Sequence, residues 1–74
     1  MHQMVGAAWC QKCRQAKEIL QNRGYWEQIE YLDYEQPAGK ELVTRFAAAE
    51  VPFFVFEGLL IPTVGEFLRR LEQR

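Results

Sequence analysis

The sequence predicts an α/β fold of order βαβαββα, a three-layer sandwich built on a four-stranded mixed sheet. Three observations carry this expectation. A Cys10-x-x-Cys13 pair stands where a strand pattern gives way to a helix pattern. Pro52 opens the continuous apolar run Phe53–Phe56, as a proline that cannot donate to a sheet ladder would. Glu57-Gly58 then turns that run back into a short partner, Leu59–Ile61.

Each element has its own reason. Residues 2–5 read as a short strand, and Gly6-Ala7-Ala8-Trp9 breaks it into a loop. A helix begins near Cys10, with Cys13, Ala16, Lys17, Ile19 and Leu20 at spacings of three and four, and Gly24 ends it. Residues 28–33 are short, polar-bounded and rich in Ile and Tyr, which suits a second strand. Pro37 supplies a first-turn residue for a second helix, and the recurrence of Ala38, Leu42, Phe46 and Ala49 extends it to Glu50. The apolar run that follows is expected at the centre of the sheet, covered on both faces. Thr63-Val64-Gly65-Glu66 fits a reciprocal capping box, after which Val64, Phe67, Leu68 and Leu71 make one apolar stripe. Arg69, Arg70 and Arg74 suit the negative end of that third helix.

Composition bounds the function. A chain of 74 residues, 49% of them hydrophobic, suits one small folded domain rather than disorder. A net charge of −1 provides no field to attract nucleic acid or an anionic membrane, so neither is expected as a partner. No apolar run approaches the ~20 residues of a membrane span. The first residues lack the pattern of a secretion signal, which makes a cytoplasmic location the expectation. Only two cysteines are present, and a bridge between positions this close in sequence would stabilise the fold least, so their spacing points to chemistry or to metal binding.

The charge is unevenly spread. Residues 1–17 contain Lys12, Arg14 and Lys17 and no acid, giving +3 against −4 over the remainder. Cys10, at a helix N-terminus inside this basic segment, is placed to be held as a thiolate, with Lys12 as the stabilising neighbour. Cys13 lies one turn further along the same helical side. The asymmetry suggests that Cys10 attacks a disulfide and that Cys13 then resolves the mixed disulfide. Half of a tetrahedral zinc site is the alternative use of the pair, but with His2 the only histidine, four ligands would require two chains.

With Trp9-Cys10-Gln11-Lys12-Cys13 after the first strand, Val51-Pro52 before the third, and Gly58 and Ile61 in the terminal hairpin, the whole of 1–74 resembles the glutaredoxin branch of the thioredoxin superfamily. The resemblance implies a thioredoxin-like, glutaredoxin-type fold and dithiol–disulfide oxidoreductase activity on protein or small-molecule disulfides. Cys10 and Cys13 would be catalytic, in electron transport and cell redox homeostasis. It further implies a cis bond before Pro52 and a Val51 backbone that offers hydrogen bonds to an extended substrate. Trp9 is read as touching substrate from beside Cys10, or else as packing its loop. No tightly bound cofactor is implied, and a monomer is expected.

The electron donor is left open between glutathione and a protein reductase. Positions that hold glutathione's carboxylates in glutaredoxins read Ala7, Glu50, Pro62-Thr63 and Glu66 here, so most of those contacts are absent or altered. The small redoxins that supply ribonucleotide reductase and draw on thioredoxin reductase share this length and a C-x-x-C containing Gln. A dimer bridged by metal or an iron–sulfur cluster through Cys10 is the non-enzymatic alternative. Tyr25, Trp26, Tyr31 and Tyr34 are not expected to form a nucleic-acid surface, because Glu27, Glu30, Asp33 and Glu35 are interspersed with them. His2 is read as a strand residue.

Overall fold

The computed structural model describes residues 2–73. In chain order it comprises β1 (His2–Gly6), α1 (Gln11–Asn22), a 3-10 turn (Trp26–Gln28), β2 (Ile29–Asp33), α2 (Pro37–Phe46), β3 (Phe53–Phe56), β4 (Leu59–Ile61) and α3 (Val64–Glu72). The strands lie in the order β2-β1-β3-β4, with β1 and β2 parallel and the other two pairings antiparallel. This is the α/β, four-stranded mixed sheet that the sequence predicts.

The alternation of side chains along the strands produces the layers. Met4, Phe54 and Phe56 join Ala16 and Leu20 of α1 and Phe67 and Leu71 of α3 in one core. Val5, Phe53 and Val55 point the other way and join Leu42 of α2, with Phe46 packed against them. All four residues of β3 are buried, as expected of a strand covered on both faces. Phe54 and Phe67, both fully buried, stack with ring centroids 4.8 Å apart. Burial of each such side chain contributes roughly 1.5–3 kcal/mol. Among the described residues no helix is long and apolar enough to cross a membrane.

Helix ends agree with the sequence in two places and differ in two. Gly24, at φ +82°, donates to the Gln21 carbonyl while Tyr25 donates to that of Leu20, the paired bonds that close α1. Thr63 caps α3, its hydroxyl accepting from the Glu66 N–H at 3.2 Å. The Glu66 carboxylate, however, is directed to Arg70 Nε at 3.7 Å, so only one side of the expected capping box forms. Arg69 and Arg70 occupy the last turn of α3, and Arg74 lies outside the described residues.

The second helix ends at Phe46 rather than at Glu50. Ala47 takes left-handed angles, φ 52° and ψ 41°, and Ala48 donates to the Val43 carbonyl. The residue before a proline is disfavoured in the helical region, and residues 47–50 are needed to carry the chain from α2 to Val51-Pro52. The apolar spacing that includes Ala49 is real but falls in this connection. Where α2 crosses the end of β2, Gly39 is required: a Cβ there would overlap the Asp33 carbonyl.

Candidate active site

Strand directions bring the separate motifs to one end of the sheet. Gly6 pairs with Asp33 at the C-terminal ends of the parallel strands, while antiparallel β3 pairs Phe53 with Val5 and so starts at that end. Ile61 pairs with Phe54, which delivers Pro62 and Thr63 to the same end. The loop to α1, the Val51-Pro52 segment and the start of α3 therefore converge.

Cys10 is the N-cap of α1. Its Sγ accepts a hydrogen bond from the Cys13 backbone N–H at 3.2 Å, as the oxygen of a Ser or Thr cap would. That sulfur therefore stands at the N-terminal end of α1 with the capping amide facing it. On its other side the Cys10 Sγ is 3.8 Å from the Val51 carbonyl oxygen, to which the thiol donates. The Val51–Pro52 peptide is cis, as the resemblance implies. Both cysteines are free thiols.

Cys13 is more deeply placed, 2% exposed against 9% for Cys10. Burial is the main reason that its thiol is pushed up to about 12, with the hydrogen bond to Cys10 and the charge there adding to it; the Ala7 backbone acts in the opposite sense. One sulfur is thus presented at a helix terminus and the other is kept protonated one turn behind it.

Two cavities flank the pair. In front, a groove of about 370 Å³ is lined by Lys12, Ala16, Ile19, Glu50, Val51, Pro52, Thr63 and neighbouring residues. Behind, a cavity of about 300 Å³ is lined by Ala7, Ala8, Cys13, Arg14, Lys17, Tyr31 and Asp33. Lys12 is exposed on the groove, and Val51 and Pro52 form its wall beside Cys10. Trp9, next to Cys10 in sequence, lines neither cavity: it is 62% exposed, donates its indole N–H to Glu35 Oε2 at 3.1 Å and meets Tyr34 edge-on at 6.4 Å. His2 lies at the opposite end of β1, four residues or about 13 Å from Gly6. There its ring stacks on Phe56 at 4.6 Å, so it is a packed strand residue.

Sequence reasoning missed four residues at this end of the sheet. Glu35 and Tyr34 brace Trp9, and Tyr31 and Asp33 line the rear cavity. Burial raises the Tyr31 phenol above its usual range, and the charges of Cys13, Asp33 and Cys10 add to this. The period-2 alternation of β2 was the available signal, since it sets Tyr31 and Asp33 on the same face.

No family model matches the chain, and no curated protein does. Among solved structures, a variant of the thioredoxin-like protein BC3987 is similar with a TM-score of 0.78 and 20% identity, over 97% of this chain and 99% of that one. A thioredoxin from Thermus thermophilus is similar with a TM-score of 0.61 and 22% identity, over 97% of this chain and 72% of that one. The chain therefore has the thioredoxin-like fold, with Cys10 and Cys13 at the converging end of its sheet.

Proposed function

We propose that the protein is a dithiol–disulfide oxidoreductase acting on protein or small-molecule disulfides. The observation that carries this reading is the unequal pair: Cys10 Sγ caps α1 and accepts the Cys13 N–H at 3.2 Å, while the Cys13 thiol is buried and held protonated. Cys10 attacks a substrate sulfur, and a mixed disulfide forms as the other sulfur leaves. Cys13 then attacks Cys10, closing the Cys10–Cys13 disulfide and releasing the reduced substrate. The groove wall of Val51 and Pro52 supports a substrate lying in extended form beside Cys10.

The donor that restores the dithiol is read as a protein reductase of the kind that serves thioredoxins. Glu50 on the groove wall supports this, because a carboxylate there opposes the two carboxylates of glutathione. The test is a coupled assay with an insulin disulfide as acceptor. One arm supplies NADPH and thioredoxin reductase, the other NADPH, glutathione and glutathione reductase. Turnover in the first arm alone is the expected result. Turnover in the second alone overturns the donor, and turnover in neither, or stoichiometric metal bound through Cys10, overturns the oxidoreductase reading.

A further inference from the structure

Side chains alternate along β4, so Ile61 shares the face of Phe54 and Phe56, while Leu60, opposite Val55, turns to the face that α2 covers. That cover is partial. Among the described residues α2 is the only helix on this face, and it packs over β2 and β1, at the far side of the sheet from β4. Leu60 is therefore left exposed, and an open cleft of about 200 Å³ lies beside it. Buried Phe53 lines this cleft together with Ala48 and Ala49 from the connection after α2 and Pro62 from beyond β4. The two alanines end in single methyl groups, which leaves the space open. A cavity of ~150 Å³ takes a benzene ring, so there is room here for one large apolar side chain.

The cleft continues the groove in front of the cysteines, because Glu50, Pro52 and Pro62 line both. Glu50 directly precedes Val51, whose carbonyl oxygen is 3.8 Å from Cys10 Sγ. A segment that runs from Cys10 across this shared wall meets Glu50 and then the cleft. Among the described residues Glu50 is the one charged residue lining the cleft, and its side chain has neither an ion pair nor a hydrogen bond. An acidic group set among apolar side chains attracts a partner's cation and opposes its anions. A second copy of the chain does not meet this requirement, since a twofold contact centred on the cleft would set Glu50 against Glu50.

We infer that the cleft beside Leu60 is a second docking site for protein disulfide substrates, taking a large apolar side chain from a segment whose basic residue faces Glu50. This rests on the dithiol reading above and names the class of substrate it serves. A small disulfide does not use the cleft, because only a chain of several residues reaches from Cys10 past Glu50 to Leu60.

The test is single-turnover reduction of synthetic peptides by an excess of the reduced full chain, with acid quenching and chromatography. Each peptide disulfide takes two electrons and two protons from one chain, which is left with a Cys10–Cys13 disulfide, so no other reductant enters. Four peptides with one intramolecular disulfide differ only in the residues flanking it at both ends: lysine then phenylalanine, glutamate then phenylalanine, lysine then serine, or glutamate then serine. Every rate is divided by that of the same variant on hydroxyethyl disulfide. For the wild type, phenylalanine is expected to give about ten times the relative rate of serine, and lysine about five times that of glutamate, the scales of a partly buried aromatic side chain and an exposed ion pair. Leu60→Ser, which removes a wall of the cleft, and Ala49→Phe, which fills it, are each expected to cut the phenylalanine preference below threefold. Glu50→Lys is expected to invert the preference for lysine. If Leu60→Ser does not fold, Ala49→Phe decides, since Ala49 is an exposed residue outside the helices and strands. Wild-type rates within twofold of one another for all four peptides overturn the proposal, as does a phenylalanine preference that stays near tenfold in Ala49→Phe or a lysine preference that survives Glu50→Lys. A wild-type dimer in sedimentation equilibrium that Ala49→Phe converts to monomer assigns the cleft to a second copy and also overturns it. Reduction of hydroxyethyl disulfide but of no peptide sinks the docking site alone, whereas reduction of neither sinks the dithiol reading, so the two failures are distinguishable.

Discussion

The backbone N–H of Cys13 points at the sulfur of Cys10 across 3.2 Å, so the two cysteines are joined by a capping bond before any disulfide exists between them. On the proposed dithiol reading that contact sets Cys10 as the sulfur that attacks first, while Cys13 stays buried and protonated behind it.

Replacing each cysteine separates the roles. Cys10→Ser keeps an N-cap oxygen, so stability is expected within about 1 kcal/mol of wild type while disulfide reduction is lost. Cys13→Ser is expected to carry out the first attack and stop, accumulating one mixed disulfide per chain, read as a mass increase in intact-protein mass spectrometry under non-reducing conditions. Equal turnover of Cys10→Ser and wild type would refute the assignment.

Stability of the reduced protein is expected to decline on the alkaline side. The Cys13 thiol lies near 12 in the fold against an ordinary 9.0, so the folded chain retains a proton that the unfolded chain gives up. That contribution is complete below about pH 9 and is lost between about 9 and 12 as the pH approaches the folded value. Tyr31, also raised, acts in the same direction. Urea midpoints at pH 7 and pH 10.5 measure the loss, and Cys13→Ala is expected to reduce it. An unchanged pH dependence in that variant would show that Cys13 is not its source.

The contact of α2 with the end of β2 depends on one missing methyl group. Gly39→Ala would set a Cβ onto the Asp33 carbonyl, backbone against backbone, and is expected to cost about 3 kcal/mol, at the upper end for overpacking. Gly65→Ala is the comparison, since nothing lies within 4 Å of its Cβ position and the residue is in α3. It is expected to stabilise by up to about 1 kcal/mol. Equal midpoints for the two variants would remove the steric argument.

Trp9 is exposed yet fixed by Glu35 and Tyr34, which suits an anchor for a protein substrate. Trp9→Ala is expected to raise KM for a protein disulfide about tenfold, the usual scale for losing one aromatic anchor. Its effect on a small aromatic disulfide is expected to be under twofold. Similar losses on both substrates would show that Trp9 acts on the cysteines rather than on the partner.

Much of this was legible from residue order, and the parts that were not have physical causes. The run Phe53–Phe56 identified a strand buried on both faces because four adjacent apolar side chains have no solvent side to spare. Cys10 and Cys13 were legible because a helix N-terminus and a spacing of three are both local facts. The end of α2 was not: the periodicity through Ala49 competes with the need to reach Pro52, and only the fold shows which wins. Glu66 turned to Arg70 rather than to its own cap, a choice between two local partners that sequence leaves equal. Asp33 and Tyr31 became visible only when parallel pairing set Gly6 beside Asp33, a contact between residues 27 positions apart.

The cap on α1 has a further meaning for the protein's working cycle. On the proposed dithiol reading, the sulfur that holds this helix end is also the one that changes oxidation state, so each turnover would alter the anchoring of the first helical turn. As a thiolate Cys10 is a strong acceptor for the Cys13 N–H; as one half of a disulfide it is a weak one. The backbone of α1 therefore carries a record of electron count, readable as slower amide exchange at Cys13 in the reduced protein than in the oxidised one.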